Sequence, residues 1–236
     1  MECDFYSCEC HRDIALAKGM GLRGEVLPVL PNTGGFDLDE IRQAPVAPPS
    51  QRKLILLKGY QHWAGRALVG LRALERSADA LRGYTVVVYS AHADVALAAE
   101  LMAVRTGIDV DVLPTGLSHA DILRYHGRAR IAIGLSIGDG ISTSFLEAMA
   151  MGAFPIQSDT SCGDEWTEHG RTALRVPPED PDVIEAAIRR ALADDELVDR
   201  AAERNWMTVQ ERLEFSKVSR AAVEMYTHVY AHALER

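Results

Sequence analysis

From residue 52 onward, short apolar runs alternate with helical patterns, and this alternation constrains the fold more than any other feature of the chain. The runs are Leu54–Leu57, Val86–Tyr89, Val110–Leu113 and Ile131–Gly134. A helical pattern follows each, near 62–78, 95–105, 119–125 and 144–151. Two shorter runs come after them, Phe154–Ile156 and Ala173–Val176. Strands without polar alternation are buried on both faces, and strand–helix alternation makes them parallel, with helices on either side. The expected class is therefore α/β, a parallel sheet covered by helices on both faces. From about Pro181 the pattern is helical only, with Trp206 between two such helices. At 236 residues the chain can bury a sizeable core without a disulfide or a metal.

Residues 1–51 do not fit that alternation. An amphipathic stretch runs from His11 to Gly21, and Glu25–Val29 is a strand demoted by Pro28. Pro31, Gly34, Gly35, Pro45, Pro48 and Pro49 give residues 30–51 the composition of a linker. The expected division is thus 1–51, the tail of some other unit with a linker, and 52–236, the α/β unit with its final helices. With 25 basic against 34 acidic residues the net charge is −9, which disfavours nucleic acid as a partner. No apolar run reaches the roughly 18 residues of a bilayer span, and no signal peptide opens the sequence. The four cysteines are sparse and uneven, so a reducing cytoplasm is the expected location.

In a parallel sheet, ligands bind beyond the carboxyl ends of the strands. The segment after the fourth strand, from Gly134 to Pro155, is the richest such place. Asp139 and Gly140 precede a helix opened by Ser142, Thr143 and Ser144, and such a helix start suits a phosphate. Glu147 lies about two turns along. Two other readings stay open from the residues. Ser144-x-x-Glu147 has the form of a capping box. Gly134-x-Ser136-x-Gly138 has the form of a nucleophile elbow, with Asp159 or Asp164 and His169 or His228 to complete a serine hydrolase. At the first strand exit, Lys58 and Arg66 flank a loop with two glycines and suit a diphosphate, or are solvated cations at a helix entrance.

Together these pieces resemble the carboxyl-terminal, nucleotide-sugar-binding lobe of the group 1 glycosyltransferases, retaining enzymes of the GT-B fold. The resemblance covers residues 52–233. It is carried by Asp139 to Pro155, by Glu165 with His169 to Pro177, and by Asp180-Pro181 opening a helix. It implies a Rossmann-like sheet and transfer of a sugar from a UDP-, GDP- or ADP-sugar to a glycan or lipid-linked acceptor. Retention of anomeric configuration, a place in polysaccharide, glycolipid or other glycoconjugate biosynthesis, and possible work at the inner membrane face belong to the same implication. Asp139 falls where the family's first acid meets the donor sugar, and Glu147 where the second acid accepts the ribose hydroxyls. Gly140, Ile141, Ser142 and Thr143 fall where the chain approaches sugar and diphosphate. Lys58 and Arg66 match the basic pair on the diphosphate, and Pro114 and Thr115 the region at the nucleobase. No metal or other cofactor is implied. Residues 1–51 resemble the end of the amino-terminal lobe, so that lobe, or a partner chain supplying it, is expected. A non-catalytic nucleotide-sugar-binding module is the alternative.

Further features lead elsewhere. Asp109-x-Asp111 opens the third strand, at the wrong end of the sheet for a ligand. Cys3, Cys8, Cys10 and His11 fit no common zinc spacing. His228 and His232 share a helix face without the acid of a zinc protease. Trp63, Trp166 and Trp206 are expected to pack rather than stack.

Overall fold

The computed structural model describes residues 3–42 and 47–234; Pro45 of the expected linker lies outside them. The chain divides into two compact units. The smaller combines residues up to 42 with those from 208, and the larger covers 47–207. The expected split lies at 51/52, and in this division the last helix groups with the opening residues.

In the smaller unit, β1 (Phe5–Tyr6) pairs in parallel with β2 (Glu25–Val26) around α1 (His11–Gly19). The two residues of β2 are all that Pro28 leaves of the expected strand, and β1 was not foreseen. The presumed linker contains α2 (Leu38–Arg42), whose first N–H groups are capped by the Asp37 carboxylate.

The larger unit holds six strands: β3 (Leu54–Lys58), β4 (Thr85–Tyr89), β5 (Asp109–Val112), β6 (Ala129–Gly134), β7 (Phe154–Ser158) and β8 (Leu174–Val176). All pair in parallel, in the order β5-β4-β3-β6-β7-β8. The order reverses direction at β3, so the crevice beyond β3 and β6 is where a ligand belongs. The helices between strands are α3 (Ala67–Arg76), α4 (Ala93–Thr106), α5 (His119–Arg128) and α6 (Thr143–Ala150). After β8 come α7 (Pro181–Ala193) and α8 (Asp195–Arg212), and α9 (Phe215–Leu234) returns to the smaller unit.

Alternate residues of each strand build two cores, as the pleat requires. Ile55, Leu57, Val86, Val88, Ile131 and Ile133 pack with Leu71 and Leu74 of α3, Met102 of α4 and Ile188 of α7. Leu54, Leu56, Val87, Tyr89 and Ala132 pack with Ala148 of α6 and, on α5, Ile122 and Tyr125. The helix expected from 62 begins only at Ala67. Residues 60–66 fold back on themselves instead, with Ala67 N–H donating to the Tyr60 carbonyl (3.0 Å) and Leu68 N–H to Gln61 Oε1 (3.0 Å).

The amino ends of the strands are closed by two buried arginines. Arg52 donates to the carbonyls of Ala47, Ala129 and Met151. Arg130 donates to Ser50, Ala191 and Leu192 and pairs with Asp195 at 2.7 Å, so it satisfies the last carbonyls of α7.

Candidate functional site

At the carboxyl edge, β6 delivers the segment singled out from sequence. After Gly134 the chain runs over the sheet to Asp139 and Gly140, and the Gly140 carbonyl accepts from Cys162 N–H at 2.7 Å. Helix α6 then starts at Thr143 with Ser142 as its N-cap. The Ser142 hydroxyl does not cap the helix. It bonds Ser144 Oγ at 2.8 Å and accepts from Lys58 Nζ at 3.2 Å. The backbone donors of the first turn are therefore left without a side-chain acceptor, the condition for binding an anion there. Ile141 and Ser142 are buried and Thr143 is exposed.

This start corrects the capping-box reading. Ser144 lies one residue inside the helix, so it cannot be the N-cap partner of Glu147. The Glu147 carboxylate is buried, only 4% exposed, and is held by α5. His119 Nε2 meets Oε1 at 2.7 Å, and His126 Nε2 lies 3.6 Å from Oε2. His126 is enclosed, and neither ring nitrogen has a hydrogen-bond partner. Burial, with the Lys58 and His119 charges nearby, pushes its imidazole down to about 3, so it is neutral near pH 7. Burial also lowers the Lys58 ammonium, an effect opposed by Asp139 and Glu147. Lys58 thus sits between both candidate acids and the α6 start. Asp139 is half-buried and has no hydrogen-bond partner among the described residues.

Arg66 does not join Lys58 directly. As the N-cap of α3 it pairs with Glu179 at 2.7 Å and donates to the His62 and Gly65 carbonyls. Pro114 and Thr115 are exposed in the β5–α5 loop, which leads through the Ser118 cap to His119. The structure therefore brings together Lys58, Asp139, Ser142 and Glu147, with Arg66 turned to its own loop and Glu179.

Three residues of this edge escaped the sequence reading. His119 and His126 are seven apart, hence on one face of α5, and that spacing is a signal that was available. Trp63, expected to pack, is 80% exposed. Its ring lies over Gly138, where a Cβ would stand 3.3 Å from it.

The elbow reading loses its geometry. An elbow needs strand, nucleophile and helix in immediate succession, but α6 begins seven residues after Ser136. Ser136 is buried and its carbonyl accepts from the hydroxyls of Ser158 and Thr160. His169 uses Nδ1 to accept from Arg175 N–H (3.1 Å), and His228 meets Glu25 at 3.0 Å. Asp109 and Asp111 lie on β5, with Asp109 at its amino end accepting from the Thr85 hydroxyl. No described helix is long and apolar enough to cross a membrane.

No curated protein matches the chain. Among solved structures, the chain is similar to α,α-trehalose 6-phosphate synthase from Burkholderia multivorans, with a TM-score of 0.76 at 17% identity over 98% of this chain and 60% of the other. It is similar to a sucrose-phosphate synthase from Thermosynechococcus elongatus, with a TM-score of 0.74 at 18% identity over 98% and 59%. It is also similar to HepE of Anabaena in complex with UDP-glucose, with a TM-score of 0.74 at 16% identity over 95% and 64%. The chain thus spans about 60% of the length of these proteins. What they share with it is the fold, that of the carboxyl-terminal lobe of a GT-B glycosyltransferase. A family model described as glycosyl transferases group 1 matches residues 54–194, more than half of the chain. The chain belongs to the group 1 glycosyl transferases.

Proposed function

We propose that this chain is the donor-binding lobe of a retaining glycosyltransferase that moves a sugar from a nucleotide-sugar donor to a glycan or lipid-linked acceptor. The observation that carries this is the convergence of Lys58, Asp139, Ser142 and Glu147 on the open start of α6. UDP-glucose in the similar HepE supports a UDP-sugar as the first donor to test, with GDP- and ADP-sugars next.

In this reading Glu147 accepts the ribose hydroxyls, with His119 giving way to them, and Pro114 and Thr115 border the base. Asp139, with no hydrogen bond to the described residues, accepts from the sugar hydroxyls. Gly140, Ile141, Ser142 and Thr143 let the backbone approach sugar and diphosphate. In the transfer, the bond between the anomeric carbon and the β-phosphate oxygen breaks, its electron pair leaves with the diphosphate, the acceptor hydroxyl oxygen bonds to the anomeric carbon, and the hydroxyl proton passes to the departing diphosphate. Lys58 and the first-turn N–H groups of α6 meet that growing charge, and Arg66 joins them by exchanging Glu179 for a phosphate oxygen. Charge is thereby met without a metal in the transfer. The acceptor binds to an amino-terminal lobe or a partner chain, and the reaction serves glycoconjugate synthesis in the cytoplasm or at the inner membrane face.

Calorimetric titration of UDP, GDP and ADP and their glucose conjugates tests the reading. One nucleotide should bind, and Lys58→Met should weaken it. No binding by any of them at millimolar concentration would overturn it. Binding without transfer to any acceptor, once an amino-terminal lobe is supplied, would favour a non-catalytic binding module.

A further inference from the structure

A second group of side chains stands on the same sheet edge, in the loops that follow β3 and β4. His62 lies in the first loop. His92 is the residue before α4, and Asp94 is the second residue of that helix. The metal-ligating atoms of all three lie within 4.8 Å of one another, and the two imidazole centroids are 4.4 Å apart. Among the described residues neither imidazole has a hydrogen-bond partner. Asp94 uses Oδ1 to accept from Val95 N–H at 3.0 Å and keeps Oδ2.

The backbone beneath the group is fixed. Gly59 N–H donates to the Tyr89 carbonyl at 2.8 Å, and His92 N–H donates to the Gly59 carbonyl at 3.3 Å. A Cβ on Gly59 would stand 2.5 Å from Ala91 Cα, so the loops touch through backbone. The non-glycine residues with left-handed backbone among those described are His62 (φ 71°) and Ser90 (φ 51°), one in each loop. Such conformations persist where surrounding structure enforces them, and they gather at ligand sites.

We propose that His62, His92 and Asp94 bind one zinc-class divalent cation. Two imidazole nitrogens and one carboxylate suit Zn²⁺ or Co²⁺ rather than the all-oxygen preference of Mg²⁺ and Ca²⁺. With metal–ligand bonds of about 2.0–2.1 Å, tetrahedral ligands sit roughly 3.3 Å apart. A bound ion therefore requires the exposed His62 and Asp94 side chains to rotate inward from their present spacing. Three protein ligands leave one position for water or an anion. The Arg66 guanidinium at the His62 carbonyl does not oppose the ion strongly, because Glu179 already pairs with it. A bound ion would fasten the loop carrying Trp63 and Arg66 to the start of α4. This inference does not rest on the proposed transferase activity, and its test uses no sugar donor.

The test is titration of the chelator-treated chain with Co²⁺ and Zn²⁺, read by the visible absorption of tetrahedral Co²⁺ and by metal analysis after dialysis. His62→Gly removes a ligand while keeping the left-handed backbone, and His92→Ala removes one that makes no helix-capping bond. The expected result is one equivalent bound at micromolar concentration, excess Mg²⁺ failing to compete, and at least about tenfold weaker binding in either variant. His228→Ala/His232→Ala, which removes the other histidine pair, should bind as the parent does. Three results would each overturn the proposal: no stoichiometric binding at micromolar metal, weakening smaller than tenfold in either single variant, or loss of binding in the His228/His232 variant.

Discussion

The two edges of the six-stranded sheet are built from the same strands and treat buried polar groups in opposite ways. At the amino edge, Arg52 and Arg130 are buried and turned onto backbone carbonyls, and Arg130 adds Asp195. Burial draws the Arg52 guanidinium down to about 10, still charged at neutral pH. At the carboxyl edge, buried Glu147 leans on one exposed histidine, buried His126 has no hydrogen bond, and two residues hold left-handed backbone. An unpaired buried polar group costs about 1–3 kcal/mol. The amino edge thus pairs its buried groups, and the carboxyl edge leaves some of its own unpaired at a cost in stability.

The contrast can be broken most forcefully at Arg130. Arg130→Met would strand the carbonyls of Ala191, Leu192 and Ser50, and each buried acceptor left unpaired costs about 1–3 kcal/mol. Urea unfolding should register that loss while nucleotide affinity in the surviving folded protein stays at its parent value. A fall in affinity would mean that the edges are coupled. Glu147→Gln should do the reverse. Loss of a charged acceptor for the ribose should cost about 1.5–3 kcal/mol of binding, roughly ten- to a hundredfold in Kd, with little change in the urea midpoint. An unchanged Kd would remove Glu147 from the site.

A smaller effect follows from His126. Its imidazole titrates near 3 in the fold and near 6.5 when unfolded, so between those values the unfolded chain binds the extra proton. The stability contribution is complete above about pH 6.5 and declines as pH falls towards 3, by up to about 1.4 kcal/mol per pH unit for one proton. His126→Phe should flatten that part of the pH–stability curve and raise stability at pH 7 by about 1 kcal/mol, since two unpaired nitrogens leave the core. A curve of unchanged slope would show that His126 is not buried as described. The smallest expected effect is none at all: a fluorophosphonate should not label Ser136, and labelling abolished by Ser136→Ala would restore the elbow.

The inner strands were legible because burial on both faces forces apolar runs, while the edge strands β5 and β8 alternate apolar with charged residues; each of the six runs foretold a strand to within two residues at either end. The approach of Lys58 to Glu147 was legible only as a shared edge, since strand ends fix which loops meet but not which atoms. Glu147 was ambiguous in sequence because Ser144-x-x-Glu147 satisfies a capping pattern that the true start of α6 at Thr143 excludes. Trp63 and His62 were misjudged for one reason. The helical periodicity read from 62 belongs to a loop whose hydrogen bonds, from Ala67 back to Tyr60, no periodicity reports. The pairing of His62 with His92 joins residues from two successive strand–helix connections, and only the adjacency of β3 and β4 brings them together.

The smaller unit has a consequence for the order in which the chain acquires its structure. Phe36 N–H donates to the Leu213 carbonyl (2.7 Å) and Phe215 N–H to the Phe36 carbonyl (3.0 Å), while Phe5 meets His228 and His232 edge-on. These contacts join residues that are translated early to residues translated late. During vectorial synthesis the sheet of the larger unit has all its strands once β8 has emerged, whereas the contacts of Phe5 and Phe36 wait for Leu213 and α9. Until then Phe5 and Phe36 lack their partners, and the nascent chain carries an apolar surface that a chaperone can hold. A ribosome stalled before residue 208 would therefore display a folded sheet preceded by a segment still lacking the contacts of α9.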